Sequence, residues 1–342
     1  MILQTTTHWL ISITLVITAL IFGQSLIIPF IFALLIWFIV KKVRNMVDKV
    51  HFIQRYIPSW IKSIIASLLI FGALLGIAEM LVVNIENLAS SYPKYLANVE
   101  GLAQKINELF HIDVHEELEQ FVQGFNFSGY LQSLVNSLSY ILGNALMIVF
   151  YTVFLFIEES LFRHKMKLIL SDRDKFQNFQ TIMKKVDSSM SSYISLKSLI
   201  NLITAVLGYF ILLGIGLNSP LFWAFLIFMF NFIPSVGPIV GTFLPALFSL
   251  LQFGEFVPFL IILLGIGSIG MLVGSFVEPK LMGNTLNISP LIAIISLAFW
   301  GSLWGIIGML LSVPITVAMI IIFAQFPQTR AAAILLSERG RV

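Results

Sequence analysis

Long uncharged runs alternate with polar stretches along nearly all of this chain, and the runs have the length of a bilayer. Residues 9–40 are uncharged and hydrophobic in character throughout, with Gly23-Gln24-Ser25 and Pro29 inside the run. About 20 apolar residues cross a membrane, so this run is long for one crossing and short for two. Its interruption predicts two tightly connected helices, 9–22 and 25–40. Further apolar runs predict helices over 61–83, 139–157, 199–217, 221–251, 256–277 and 291–323. The expected fold is all-α, a polytopic membrane protein with about eight transmembrane helices. Two of them, 221–251 and 291–323, are too long for simple crossings and carry internal Pro and Gly. They are expected to be broken or re-entrant.

Polar stretches set the organisation. The chain divides into N-terminal transmembrane helices (1–83), an extracytoplasmic helical segment (84–138) and a transmembrane helix (139–158). A cytoplasmic amphipathic helix (159–197), a C-terminal core with broken helices (198–329) and a tail (330–342) follow. Charge asymmetry gives the orientation, because cytoplasmic loops are rich in Lys and Arg. Lys41, Lys42, Arg44, Lys49, Arg55 and Lys62 stand against Asp48, so that loop is expected in the cytoplasm. Residues 84–137 hold Glu86, Glu100, Glu108, Asp113, Glu116, Glu117 and Glu119 against Lys94 and Lys105, and are expected outside. Bases again outnumber acids over 159–197, and the tail carries Arg330, Arg339 and Arg341. Both termini are therefore expected in the cytoplasm. Phe176, Phe179, Met183, Val186, Met190 and Tyr193 recur at spacings of three and four, which fits a helix lying on the transmembrane bundle or meeting another subunit.

Composition narrows the function classes. The chain is 58% hydrophobic and 11% charged, with a mean hydropathy of +0.96; soluble proteins run at about 25% charged. Net charge is +3 but segregated by segment, so it does not indicate nucleic-acid binding. The chain has no cysteine, which excludes disulfides, thiol nucleophiles and thiolate metal sites. The first hydrophobic run lacks basic residues before it and is expected to be a retained span rather than a signal peptide. His111 and His115 lie four apart, but no third ligand accompanies them, and no metal or cofactor is expected. There is no Walker-type phosphate loop and no catalytic constellation. An enzyme is not expected, and any transport would run on a gradient rather than on ATP bound to this chain.

Between Leu199 and Gln328 the only formal charges are Glu255, Glu278 and Lys280. Within this stretch Asn231-Phe-Ile-Pro-Ser-Val-Gly-Pro-Ile-Val-Gly241 is the densest cluster of helix breakers. Pro234 and Pro238 lack an amide donor and push their predecessors out of the helical region. Gly237 and Gly241 permit close backbone approach, and Asn231 adds a side-chain amide. A break here frees backbone groups that transporters use to hold ions or polar substrates; the alternative is a Pro-kinked helix packed on a neighbour. Glu278 is the leading carboxylate for a proton or cation, with Lys280 its candidate partner; the alternative is an interfacial pair whose long side chains reach water. Asn231, Pro234, Gly237, Pro238, Gly241, Glu278 and Lys280 form the expected pathway. Glu79, Pro29, Gly305 and Pro314 are weaker candidates. Gly301, Gly305 and Gly308 have the spacing of a close helix contact, a hinge being the rarer use of such residues. Glu158-Glu159 is expected to face water at the end of its span.

On these residues the chain resembles the autoinducer-2 exporter family over about residues 14–323. The resemblance rests on Asn231–Gly241, on Val277-Glu-Pro-Lys-Leu-Met-Gly283 with Pro290, on Trp304-Gly-Ile-Ile-Gly-Met-Leu-Leu-Ser-Val-Pro314, and on Ile28-Pro29-Phe30. It implies an eight-span inner-membrane protein, homo-oligomeric, that exports small molecules or exchanges cations for protons. The family's Pro/Gly and Glu-Pro motifs fall on Pro234, Gly237, Pro238, Gly241, Glu278, Pro279, Gly283 and Pro314. The leading expectation is a secondary exporter of a small polar metabolite or signal. A monovalent cation/proton antiporter is the alternative, and a non-transporting membrane scaffold is the third. The expected partners are the transported solute or ion, the lipid bilayer and further copies of the chain.

Overall fold

The computed structural model describes residues 2–47, 65, 71–72, 75–77, 79–81, 83–85, 87–88, 98, 101, 129, 133, 136, 139–140, 143–170, 172–282, 288–338 and 340. Gly283, His111, His115, most of the 41–62 loop and most of the 84–138 segment lie outside the described residues. No strand occurs among the described residues. The helices are α1 (Ile2–Phe22), α2 (Gln24–Val47), α3 (Ala145–Ile169), α4 (Arg173–Ile215), α5 (Pro220–Phe230), α6 (Val236–Phe253) and α7 (Phe256–Leu272). A π-helical turn (Val273–Val277) joins α7 to α8 (Glu278–Met282), and α9 (Pro290–Phe323) and α10 (Arg330–Leu336) follow. Among the described residues, five helices qualify as membrane spans by length and composition, or up to six if the two arms of α3, bent by 52°, count as one.

The apolar runs form these helices because each lacks internal charge and turn residues fall between them. Gly23 separates α1 from α2 as its position predicts. α4 is 43 residues long, about 64 Å at 1.5 Å per residue. The expected boundary at 197/198 falls inside this one continuous helix. Contacts divide the chain into two compact units, and α4 passes from one to the other: residues 1–72, 140–194 and 287–342 make the first, and 73–139 and 195–286 the second.

In the first unit, Ile28, Trp300, Trp304, Ile307 and Leu311 make one core, and Ala33, Ile36, Val40 and Ile148 another where α2 meets α3. Lys41 lies at the polar end of the α2–α3 packing. Its ammonium pairs with Glu159 at 3.0 Å and Asp187 at 2.8 Å and sits 4.5 Å from the Trp37 ring centroid. Glu159 therefore belongs to an ionic knot joining α2, α3 and α4 rather than facing water alone. Met190 and Tyr193 of the expected seam are buried, while Met183 stays exposed, so the seam packs at its C-terminal end. α9 is a hairpin. Gly305 takes φ 61°, ψ −142°, a conformation open to glycine, and the chain doubles back there. A Cβ at Gly308 would lie 1.8 Å from the Trp300 carbonyl oxygen. Just before α9, Ser289 N–H donates to Leu336 O, at the end of α10, at 3.1 Å. Gly305 is thus the reversal itself, and Gly308 makes the close contact. The hairpin tip is tied down by Trp304 Nε1, which donates to Leu20 O at 3.0 Å, a carbonyl in the last turn of α1.

The second unit is built on a core of Leu212, Phe222, Trp223, Ile227, Phe248, Ile262 and Ile266. α5 and α6 run antiparallel. The Trp223 and Phe248 rings lie 5.0 Å apart, and a Cβ at Gly237 would lie 1.8 Å from Phe230 O. Gly241 sits over Ile227, where a Cβ would be 3.4 Å from the Ile227 Cα. α5 has 11 residues, about 16 Å of helix against a hydrocarbon core of about 30 Å. Asn98 from the segment before α3 donates to Leu251 O at 3.0 Å and Gln252 O at 2.6 Å, covering carbonyls that the end of α6 leaves open.

Candidate functional site

The 221–251 run breaks where its prolines predict, and it breaks into a hairpin rather than a kink. Asn231 ends α5, and residues 231–235 form the turn. Ser235 adopts φ 61°, ψ −47°, and Val236 N–H donates to Pro234 O at 2.6 Å. This i to i+2 bond around a positive φ is a strained γ-turn. It is the tightest way to reverse a chain whose next positions are Gly237 and Pro238. Asn231 is 8% exposed, and its side-chain oxygen has no hydrogen-bond partner among the described residues. Gly237 and Gly241 are buried at the α5–α6 contact, Pro234 is half-buried and Pro238 is exposed.

α4 joins this turn to Glu278. Lys197 and Asn201 lie four residues apart on one face of α4, about 6 Å along the axis. Asn201, 1% exposed, donates from Nδ2 to Lys197 O at 3.2 Å and accepts from Phe232 N–H at 3.3 Å. Turning the amide over would give a bond to Phe228 O at 3.3 Å but leave its oxygen facing only acceptors, so the first orientation is preferred. Lys197 Nζ lies 2.6 Å from Glu278 Oε1, with side chains 11% and 25% exposed. Glu278 follows the π-helical turn, an irregularity that frequently marks functional sites.

The structure therefore replaces the expected partner of Glu278. Lys280 is exposed, while Lys197, one turn before Asn201 on α4, holds the carboxylate. The available signal was an amide inside an apolar helix four residues after a lysine. Glu79 is exposed in the second unit. Pro29 is buried within α2, and Gly305 and Pro314 lie in the α9 hairpin; these three belong to the first unit.

Several apolar helices of bilayer length, with two helical hairpins among them, mark a multi-pass helical membrane protein. The profile of the AI-2E family transporter matches residues 10–328, and the chain belongs to that family. It is 26% identical over 336 residues to a protein of Haemophilus influenzae named "Putative transport protein", covering 96% of this chain and 94% of that one. It is 26% identical to the AI-2 transport protein TqsA of Escherichia coli K12, covering 94% and 92% of the two chains. A protein of Borreliella burgdorferi bearing the same name as the Haemophilus relative is 35% identical over 209 residues, covering 59% of this chain and 57% of that one.

Proposed function

We propose that this protein is a gradient-driven secondary exporter of a small polar metabolite or signalling molecule, of the kind named in its TqsA relative. The solute would pass the α5–α6 turn and the Lys197–Glu278 pair. The observation that carries this reading is the conjunction on α4: Lys197 holds Glu278, and Asn201 one turn on contacts the backbone of a strained turn beside Asn231, whose buried Oδ1 has no partner among the described residues. Strain, an orphaned buried acceptor and a largely buried ion pair each cost stability and persist where function requires them. Charge asymmetry supports an inner-membrane protein with both termini in the cytoplasm. In that orientation α5–α6 is a re-entrant hairpin. The exposed apolar surface fits lipid and the contacts of a homo-oligomer.

The test is solute-dependent proton movement in liposomes containing the purified protein, read with a pH-sensitive dye. Glu278→Gln is expected to keep the fold and lose transport; wild-type flux from it would remove Glu278 from the mechanism. Monovalent cation/proton antiport is the second reading, favoured by the half-buried carboxylate of Glu278. It requires vesicle pH to recover when sodium, lithium or potassium is added. Silence toward all three across a range of pH would eliminate it.

A further inference from the structure

Beyond its bend, every side chain of α3 from 161 to 169 except Met166 is exposed. The apolar run 139–157 already has bilayer length, and Glu158 and Glu159 close it. The arm 161–169 then leaves the axis of 145–159 by 52°. At 1.5 Å per residue it is about 13 Å long, so it climbs only about 8 Å along that axis. The head-group layer of a leaflet is about 5–8 Å thick, and a straight continuation would carry the end of the arm into water. At about 100° per residue, Leu161, Phe162, Met166, Leu168 and Ile169 share one arc of the arm, and Arg163, His164 and Lys167 take the rest. Phe162 leans on Phe179 of α4, with ring centroids 5.9 Å apart, which fixes the way the arm faces. Leu161, Leu168 and Ile169 stay uncovered, the last two 67% and 71% exposed. The one charge inside the apolar arc, Lys165, is paired with Glu158 at 2.7 Å. Arg163 and Lys167 are exposed and make no ion pair among the described residues. A helix that is apolar on one face and basic on the other lies in the plane of the membrane interface, where its bases attract anionic head groups.

We propose that residues 161–169 are an interfacial arm that docks on anionic phospholipid. Leu161, Leu168 and Ile169 enter the upper acyl layer, and Arg163 and Lys167 take the phosphates. The occupant is lipid because the arm continues directly from a membrane-crossing helix and carries the charge that complements acidic head groups. The arm belongs to the first unit and the Lys197–Glu278 pair to the second, so this surface is separate from the proposed solute pathway and its test needs no transported solute.

The experiment titrates the full-length protein in detergent with dioctanoyl phosphatidylglycerol, dioctanoyl phosphatidylcholine and glycerol phosphate, with binding read by thermal shift. Phosphatidylglycerol is expected to stabilise the wild type saturably and more tightly than the other two. Arg163→Gln and Lys167→Gln should each weaken that binding about fivefold, the contribution of one base near an anionic surface. Ile169→Ser should weaken binding of both lipids, and Arg330→Gln, on α10 outside the arm, should leave binding unchanged. Equal binding of phosphatidylcholine would overturn the proposal, and so would a loss in Arg330→Gln as large as in the two arm variants. Glycerol phosphate binding as tightly as phosphatidylglycerol would show a site for a free anion and overturn it too. A second measurement decides the case if Ile169→Ser does not fold. The chain has no cysteine, so Ile169→Cys carries an environment-sensitive fluorophore at one place, read in phosphatidylglycerol vesicles. Apolar emission quenched by a lipid-borne nitroxide is expected. Emission typical of water would overturn the proposal, and apolar emission that the nitroxide cannot quench would place this face against a second copy of the chain and overturn it as well.

Discussion

Removing either member of the Lys197–Glu278 pair should cost far more than removing the neighbouring Lys280. At 2.6 Å and an effective dielectric of about 20, the attraction of two unit charges is about 6 kcal/mol. Desolvating side chains that are only 11% and 25% exposed offsets several kcal/mol of this, leaving a net coupling of about 2–3 kcal/mol. Glu278→Gln strands the Lys197 ammonium without a countercharge, and Lys197→Met strands the carboxylate, so each is expected to cost about 3 kcal/mol. The double variant removes both charges and should recover about 2–3 kcal/mol of the summed loss. Lys280→Met, on an exposed side chain, should stay within about 0.5 kcal/mol. Sodium dodecyl sulfate titration of the four proteins of the cycle and of Lys280→Met, in mixed micelles, measures these differences. Additivity within about 0.5 kcal/mol would refute the pairing, as would a Lys280→Met loss equal to that of Lys197→Met.

Gly237→Ala places a Cβ 1.8 Å from Phe230 O and should splay the hairpin, costing at least about 3 kcal/mol; Gly274→Ala, with nothing within 4 Å, is the neutral control, and size-exclusion profiles in detergent separate them. Ser235→Gly should relieve the positive-φ turn and raise stability by about 1 kcal/mol, so a lower unfolding midpoint for this variant counts against the strain. Lys41→Met removes the countercharge of Asp187 and leaves Glu159 with Arg44 at 4.0 Å, and should destabilise by about 2 kcal/mol, read from the same titration. Because the chain has no cysteine, single cysteines report topology cleanly. Glu255→Cys is expected to react with an impermeant maleimide added outside intact cells and Lys175→Cys only after lysis; the reverse pattern would invert the orientation drawn from charge.

Most of the helix order was legible in the chain. Gly23 and the Pro234 turn end helices where they stand because glycine leaves the backbone too free to favour a helix and proline fixes φ and removes a donor. Gly237 and Gly241 could be read as points of close approach because only a missing Cβ allows one. What they approach could not be read. The partner of Gly237 is the Phe230 carbonyl, reached only because the strained turn at Ser235 brings α6 back along α5. The same holds for Gly305, where small-residue spacing suggested a packing face and the backbone instead reverses. Glu278 stands out as a lone carboxylate, but its partner is 81 residues away on α4 and is not the nearer Lys280.

Hydrophobic periodicity and run length by themselves determined that this chain is an all-helical membrane protein, because an apolar run of bilayer length has few other ways to satisfy its backbone. They also determined where the helices break, since proline and glycine act on their own residue and the next. Only the tertiary structure decided that the broken runs fold back as hairpins, that Lys197 rather than Lys280 holds Glu278, and that Asn231 Oδ1 is buried without a donor among the described residues. Each of these depends on distances between helices far apart in sequence. Such distances follow from packing the whole set of apolar faces together and are encoded in no single segment.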